Sequence, residues 1–90
     1  MDPFYTDIAP DDAIEIEQLA RLMYDLRSAR DKLLSELGAA DAAEVLDRIR
    51  SGQLPEHPAY EQYLSLCILA DLQTQVRSDL AIRVKESRKQ

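Results

Sequence analysis

The sequence predicts an all-α protein in which a long helix, a short helix and a second long helix follow one another. Apolar residues recur from Ile16 to Leu37 at alternating spacings of three and four, which is the period of an amphipathic helix. No segment alternates apolar and polar residues with the period of two that is typical of a strand. Gly38 and the proline-containing connector at 54–58 divide the chain into three helical stretches.

Length and composition restrict the class of protein. Ninety residues are enough for a single domain, close to the lower size at which one hydrophobic core suffices. The longest apolar run, 66–70, is too short to cross a membrane, and 1–4 lack the features of a secretory signal. The single cysteine, Cys67, cannot form an internal disulfide. We therefore expect a cytoplasmic protein with no membrane segment, and its net charge of −6 argues against nucleic acid as the partner.

The boundaries of each element follow from local signals. Asp12, with Glu15 three residues later, resembles a capping box, and Gly38 is suited to the left-handed conformation that ends a helix. The capping pattern recurs at Asp41, and Pro58 is suited to the first position of a helix. The predicted elements are an extended arm over 1–10, a first helix over 12–37, a second over 41–51, a third over 58–85 and a basic tail over 86–90.

The distribution of charge predicts an antiparallel arrangement of the two long helices. Residues 1–20 carry six acidic and no basic side chains, whereas residues 76–90 carry five basic and two acidic ones. Acids near a helix start and bases near a helix end complement the helix dipole. In an antiparallel hairpin these two oppositely charged ends also lie side by side.

The third helix is apolar on two sides, which predicts a second copy of the chain as a partner. The first and second helices can cover only one of these sides. A second copy of the chain is the simplest cover for the other side, and this predicts a homodimer with a bundle of four long helices. The residues predicted to form the interaction surface are Tyr60, Tyr63, Leu69, Leu72, Val76 and Leu80.

Arg30 interrupts the apolar face of the first helix and allows two interpretations. It forms a buried ion pair, within or between chains, with Asp71, which is the only charged residue between 62 and 76, or it reaches into a cavity that holds a small anion. In the second case Arg27, one turn away, is the candidate second ligand of the anion. In the first interpretation the ion pair fixes the register of the packed helices. The second interpretation predicts an anion-binding or catalytic bundle.

His57 allows a further alternative, a metal site at the connector. It is the only histidine, and the carboxylates of Glu56 and Glu61 lie beside it in sequence. The spacing matches no structural zinc pattern, so the simpler interpretation is that these residues cap the third helix. Cys67 lies on an apolar seam without a neighbouring histidine, as a structural thiol does.

These patterns together favour a non-enzymatic function. The sequence contains no catalytic constellation and no phosphate-binding loop, and it implies no cofactor. We expect a protein–protein interaction module, an adaptor, accessory subunit or regulator, that binds to itself and to another protein. Anion binding at Arg30 and metal binding at His57 remain the alternatives.

Overall fold

The structure of the protein is a computed structural model that describes residues 9–87. Its elements are α1 (Pro10–Leu37), α2 (Ala42–Arg50) and α3 (Glu56–Ser87). Residues 9–87 contain no strand, so the predicted all-α class is confirmed with two long helices and a short one between them. Most of the predicted arm over 1–10 and of the predicted tail over 86–90 lies outside the described residues.

Helix α1 begins two residues earlier than the sequence analysis placed it. Pro10 occupies its first turn, with Asp11 and Asp12 beside it, and the capping residue Ala9 makes no side-chain hydrogen bond. The capping-box prediction at Asp12 was therefore wrong, because proline already has the φ angle of a first helical residue and needs no N–H partner. The two aspartates still complement the positive end of the helix dipole.

The predicted end of α1 at Gly38 is confirmed. Gly38 has φ 64° and ψ 32°, the left-handed conformation that a side chain disfavours. Its N–H donates to the carbonyl oxygen of Ser35 at 3.2 Å, and the N–H of Ala39 donates to that of Leu34 at 3.0 Å. These two bonds satisfy carbonyl groups that the helix itself leaves free, and they turn the chain toward α2.

Helix α2 starts with the reciprocal capping that its sequence predicts. The Asp41 carboxylate accepts a hydrogen bond from the N–H of Glu44 at 2.8 Å. The Glu44 carboxylate in turn accepts one from the N–H of Ala40 at 2.7 Å. The helix ends at Arg50, one residue before the predicted end at 51, where Ser51 serves as its C-cap.

Helix α3 has an irregular first turn. His57 has φ −107° and ψ 123°, which is outside the helical region, so the uninterrupted helix begins at Pro58. The peptide bond between His57 and Pro58 is cis. A residue before proline is disfavoured in the helical region, which is why the sequence predicted this start. The helix continues to Ser87, two residues beyond its predicted end.

Helices α1 and α3 form an antiparallel hairpin, and α2 packs against α3. Near the start of α1, Glu15 Oε2 lies 2.9 Å from Nη1 of Arg83, which is near the end of α3. The acidic and basic helix ends therefore lie side by side, as the charge distribution predicts. Buried apolar residues run along the hairpin and include one residue of α2, Val45; the others are Ile16, Met23, Leu34, Ala59, Leu66 and Val76.

The hairpin is long and thin. It measures 55 × 20 × 16 Å, with a radius of gyration of 17.6 Å, whereas a compact domain of this length has a radius of about 12 Å. A chain of this elongated shape leaves more surface in water than a compact domain of the same length does.

Candidate functional site

Four large apolar side chains remain exposed along one side of α3. They follow one another at intervals of four residues, and we call them the outer stripe: Tyr60, Leu64, Ile68 and Leu72. Their exposed fractions lie between 41% and 59%. Buried Leu66 lies on the opposite side of the helix, and buried Val76 lies beyond Leu72, where the row has turned toward the core. The outer stripe is thus an apolar surface that neither α1 nor α2 covers.

The six residues predicted as the interaction surface do not share one surface. Tyr60 and Leu72 belong to the outer stripe, but Val76 is buried in the core of its own chain. Leu69 and Leu80, on the same side of α3 as Val76, are partly buried. The prediction has to be corrected for these three residues, because α1 packs on their side of α3. Sequence periodicity shows that α3 has two apolar sides without showing which one α1 covers.

A groove between α2 and the first turns of α3 adjoins the outer stripe. Its volume is about 500 Å³, and its walls include Leu46, Ile49, Tyr60 and Tyr63. The two tyrosine rings stack with their centroids 6.1 Å apart and their planes inclined by 30°. A hydrogen bond with the thiol of Cys67 raises the pKa of the Tyr63 phenol. Tyr60 joins the groove to the outer stripe.

The residues of the predicted metal site come together only in part. His57 Nδ1 lies 3.0 Å from Glu61 Oε1, and both side chains are exposed. Glu56 and Tyr60 line the same small concavity of about 150 Å³. Within residues 9–87, however, no three His, Cys, Asp or Glu side chains are arranged to hold a metal ion. The metal alternative thus lacks a ligand set in this part of the chain.

The predicted anion ligands, Arg27 and Arg30, line one cleft between the middle of α1 and α3. Its volume is about 420 Å³, and Arg77 of α3 joins them from the opposite wall. Arg30 is half-buried, and its Nη1 lies 3.5 Å from Oδ1 of Asp31, which also lines the cleft. The sequence does not distinguish Arg77 as a ligand, because this residue lies on the other helix in a polar stretch without a recognisable pattern.

The predicted pair between Arg30 and Asp71 is not formed within the chain. Asp71 is exposed, and the ion pairs found in the described part of the chain do not include it. It lies on the side of α3 that carries the outer stripe, away from the cleft with Arg30. The reason is the rotation of α3 about its own axis. The face that carries Leu66 and Val76 packs inside the chain, and Asp71 therefore lies on the face that is turned away from α1.

Arg48 is the polar residue with the most contacts between elements, and sequence analysis did not identify it. Its Nη1 donates to the carbonyl oxygens of Gly38 at 2.9 Å and Leu37 at 3.5 Å, and its Nη2 pairs with Glu44. Because α1 has no basic residue in its last turn, Arg48 supplies the positive charge that this end of the helix dipole favours. Its role is structural, and it fixes α2 against the end of α1.

Comparison with known proteins adds no further assignment. Among the residues that the structure describes, no helix is long and apolar enough to cross a membrane. No family model, no curated protein and no solved structure matches this chain.

Proposed function

We propose that this chain is a non-enzymatic protein–protein interaction module that self-associates as a homodimer through the outer stripe of α3. The observation that supports this proposal is the row of Tyr60, Leu64, Ile68 and Leu72, each more than two-fifths exposed. An exposed apolar row rimmed by polar residues is typical of an interaction site. Here Glu61 and Asp71 are exposed along its rim.

The area of exposed surface favours a second copy as the occupant of the stripe. All four side chains of the stripe keep more than two-fifths of their area exposed, on a hairpin 55 Å long. A stable interface removes about 800 Å² from each partner, an area that a contact along such a hairpin can supply. A two-fold interface also needs no second gene product, because the same stripe supplies both halves.

The spacing of the stripe predicts the geometry of the dimer. Residues four apart form a ridge inclined to the helix axis, and two such ridges interdigitate when the helices cross at about −50°. The centre of the stripe is level with Leu66, so a two-fold axis there brings Tyr60 of each chain opposite Leu72 of the other. The two α3 helices then form the centre of the four long helices, with an α1 helix on each outer side.

The wider role follows from the dimer and stays a prediction. A dimer carries two copies of the groove lined by Leu46, Ile49 and Tyr63, one for each chain. Such duplicated grooves suit an adaptor, accessory subunit or regulator that binds another protein. The cytoplasmic location expected from the single cysteine also stays a prediction.

Replacing Ile68 with aspartate is expected to convert the dimer to a monomer. Ile68 is the most exposed member of the stripe, so among the four it contributes least to packing inside the chain. In the dimer, however, it places a charge in the apolar contact from each chain, which raises the dissociation constant at least about 100-fold. Sedimentation velocity of parent and variant over a range of concentrations, with circular dichroism to verify the helix content, measures the effect.

Ile14→Asp is the matched control for this experiment. Ile14 is exposed to a similar extent, 53% against 59%, but it lies on α1 and outside the stripe. The Ile14 variant should therefore remain a dimer at concentrations where the Ile68 variant is a monomer. A monomeric parent chain, or an Ile68 variant that dimerises as tightly as the Ile14 variant, contradicts the proposal.

A further inference from the structure

We infer that the cleft between the middle of α1 and α3 is a binding site for a phosphate dianion, either free or carried on a small ester. Three arginines line it, Arg27 and Arg30 on α1 and Arg77 on α3. The site is independent of the outer stripe and goes beyond the proposed dimer.

The fold itself brings the three arginines together. Arg27 and Arg30 are three residues apart on α1, so their side chains lie on neighbouring positions of one helix face. The packing of α3 against α1 brings Arg77 to the wall opposite these two residues. Residues 50 positions apart in sequence thus form one basic cleft in a protein whose net charge is −6.

The charge of the cleft fits a dianion. The three guanidinium groups carry three positive charges, and Asp31 compensates one of them. In the described part of the chain, the 3.5 Å contact between Arg30 and Asp31 is the only ion pair that any of the three arginines makes. A phosphate group carries a charge of about −1.5 to −2 at neutral pH, which matches the remaining two positive charges. A single carboxylate leaves one of them uncompensated.

The donors of the cleft also fit a phosphate. Guanidinium groups donate two parallel hydrogen bonds to phosphate oxygens, and half-buried Arg30 is the most shielded from water of the three. Gln73 contributes an amide that can donate, while the Thr74 hydroxyl already donates to the carbonyl oxygen of Ala70 at 3.1 Å. A cleft of about 420 Å³ lies within the usual size range of small-molecule sites, so it has room for the organic part of a small ester.

The test is a calorimetric titration of the full chain with inorganic phosphate and, separately, with glycerol phosphate, at constant ionic strength. Saturable binding is expected, and Arg77→Gln should weaken it about 10-fold because it removes a charge-assisted donor. Asp31→Asn should tighten it about 3-fold, because the competing carboxylate is removed. Tighter binding of the ester than of inorganic phosphate supports an ester as ligand, and equal binding supports phosphate alone.

Arg21→Gln is the matched control, since it removes the same charge from an exposed position of α1 outside the cleft. Its binding should equal that of the parent chain. The inference is overturned if neither compound binds saturably, or if Arg21→Gln weakens binding as much as Arg77→Gln does, which indicates diffuse charge rather than a site. The monomeric Ile68→Asp variant should bind phosphate as the parent does, so a failure of the dimer proposal leaves this test intact.

Discussion

Replacing Leu66 with alanine is expected to lower the free energy of unfolding by about 2–5 kcal/mol. Leu66 is 2% exposed and packs with Leu34 of α1 and Val45 of α2, so it is the point at which all three helices meet. Alanine removes most of the side chain and leaves a cavity that rigid neighbours fill only in part. Small domains have unfolding free energies of about 5–15 kcal/mol, so this loss is a large part of the total.

The matched control is Leu22→Ala on α1. Leu22 is 44% exposed and belongs neither to the core cluster nor to the outer stripe, so its replacement should cost less than about 1 kcal/mol. Urea denaturation of the two variants, at one fixed chain concentration because a dimer couples stability to concentration, measures both values. Equal losses for Leu66→Ala and Leu22→Ala contradict the assignment of Leu66 to the centre of the core.

The sequence predicts the helices well because their signals are local. The period of three and four in α1 and the left-handed glycine at Gly38 depend only on neighbouring residues. The same is true of the reciprocal capping at Asp41 and Glu44. The start of α1 was misplaced because two local signals compete there, and Pro10 begins a helix without the cap that Asp12 was expected to provide.

The sites are less predictable because they depend on the rotation of α3 against its neighbours. Both apolar sides of α3 are visible in the sequence, but only the packing shows that Val76 faces the core and that Ile68 stays exposed. The same rotation separates Asp71 from Arg30 and brings Arg77 to the cleft instead. A shift of one residue along a helix changes the direction of a side chain by about 100°, which is enough to exchange these roles.

Replacing Arg48 with methionine is expected to lower the free energy of unfolding by about 1–2 kcal/mol. A hydrogen bond to a charged group contributes about 1.5–3 kcal/mol, and we expect less here because the Arg48 side chain is 31% exposed and water screens its pair with Glu44. The loss comes from two places, the end of α1 at Gly38 and the pair within α2. Methionine keeps the apolar part of the side chain, so the change in packing is small.

Arg50→Met provides the control within the same helix turn. Arg50 is also in the last turn of α2, so both variants lose the same favourable interaction with the α2 dipole. It makes no ion pair among residues 9–87, and its replacement should change stability by less than about 0.5 kcal/mol. If thermal unfolding shows equal losses for the two variants, the helix dipole alone explains the role of Arg48. A larger loss for Arg48→Met assigns the difference to its contact with the end of α1, which holds α2 in position beside Tyr63 and the groove.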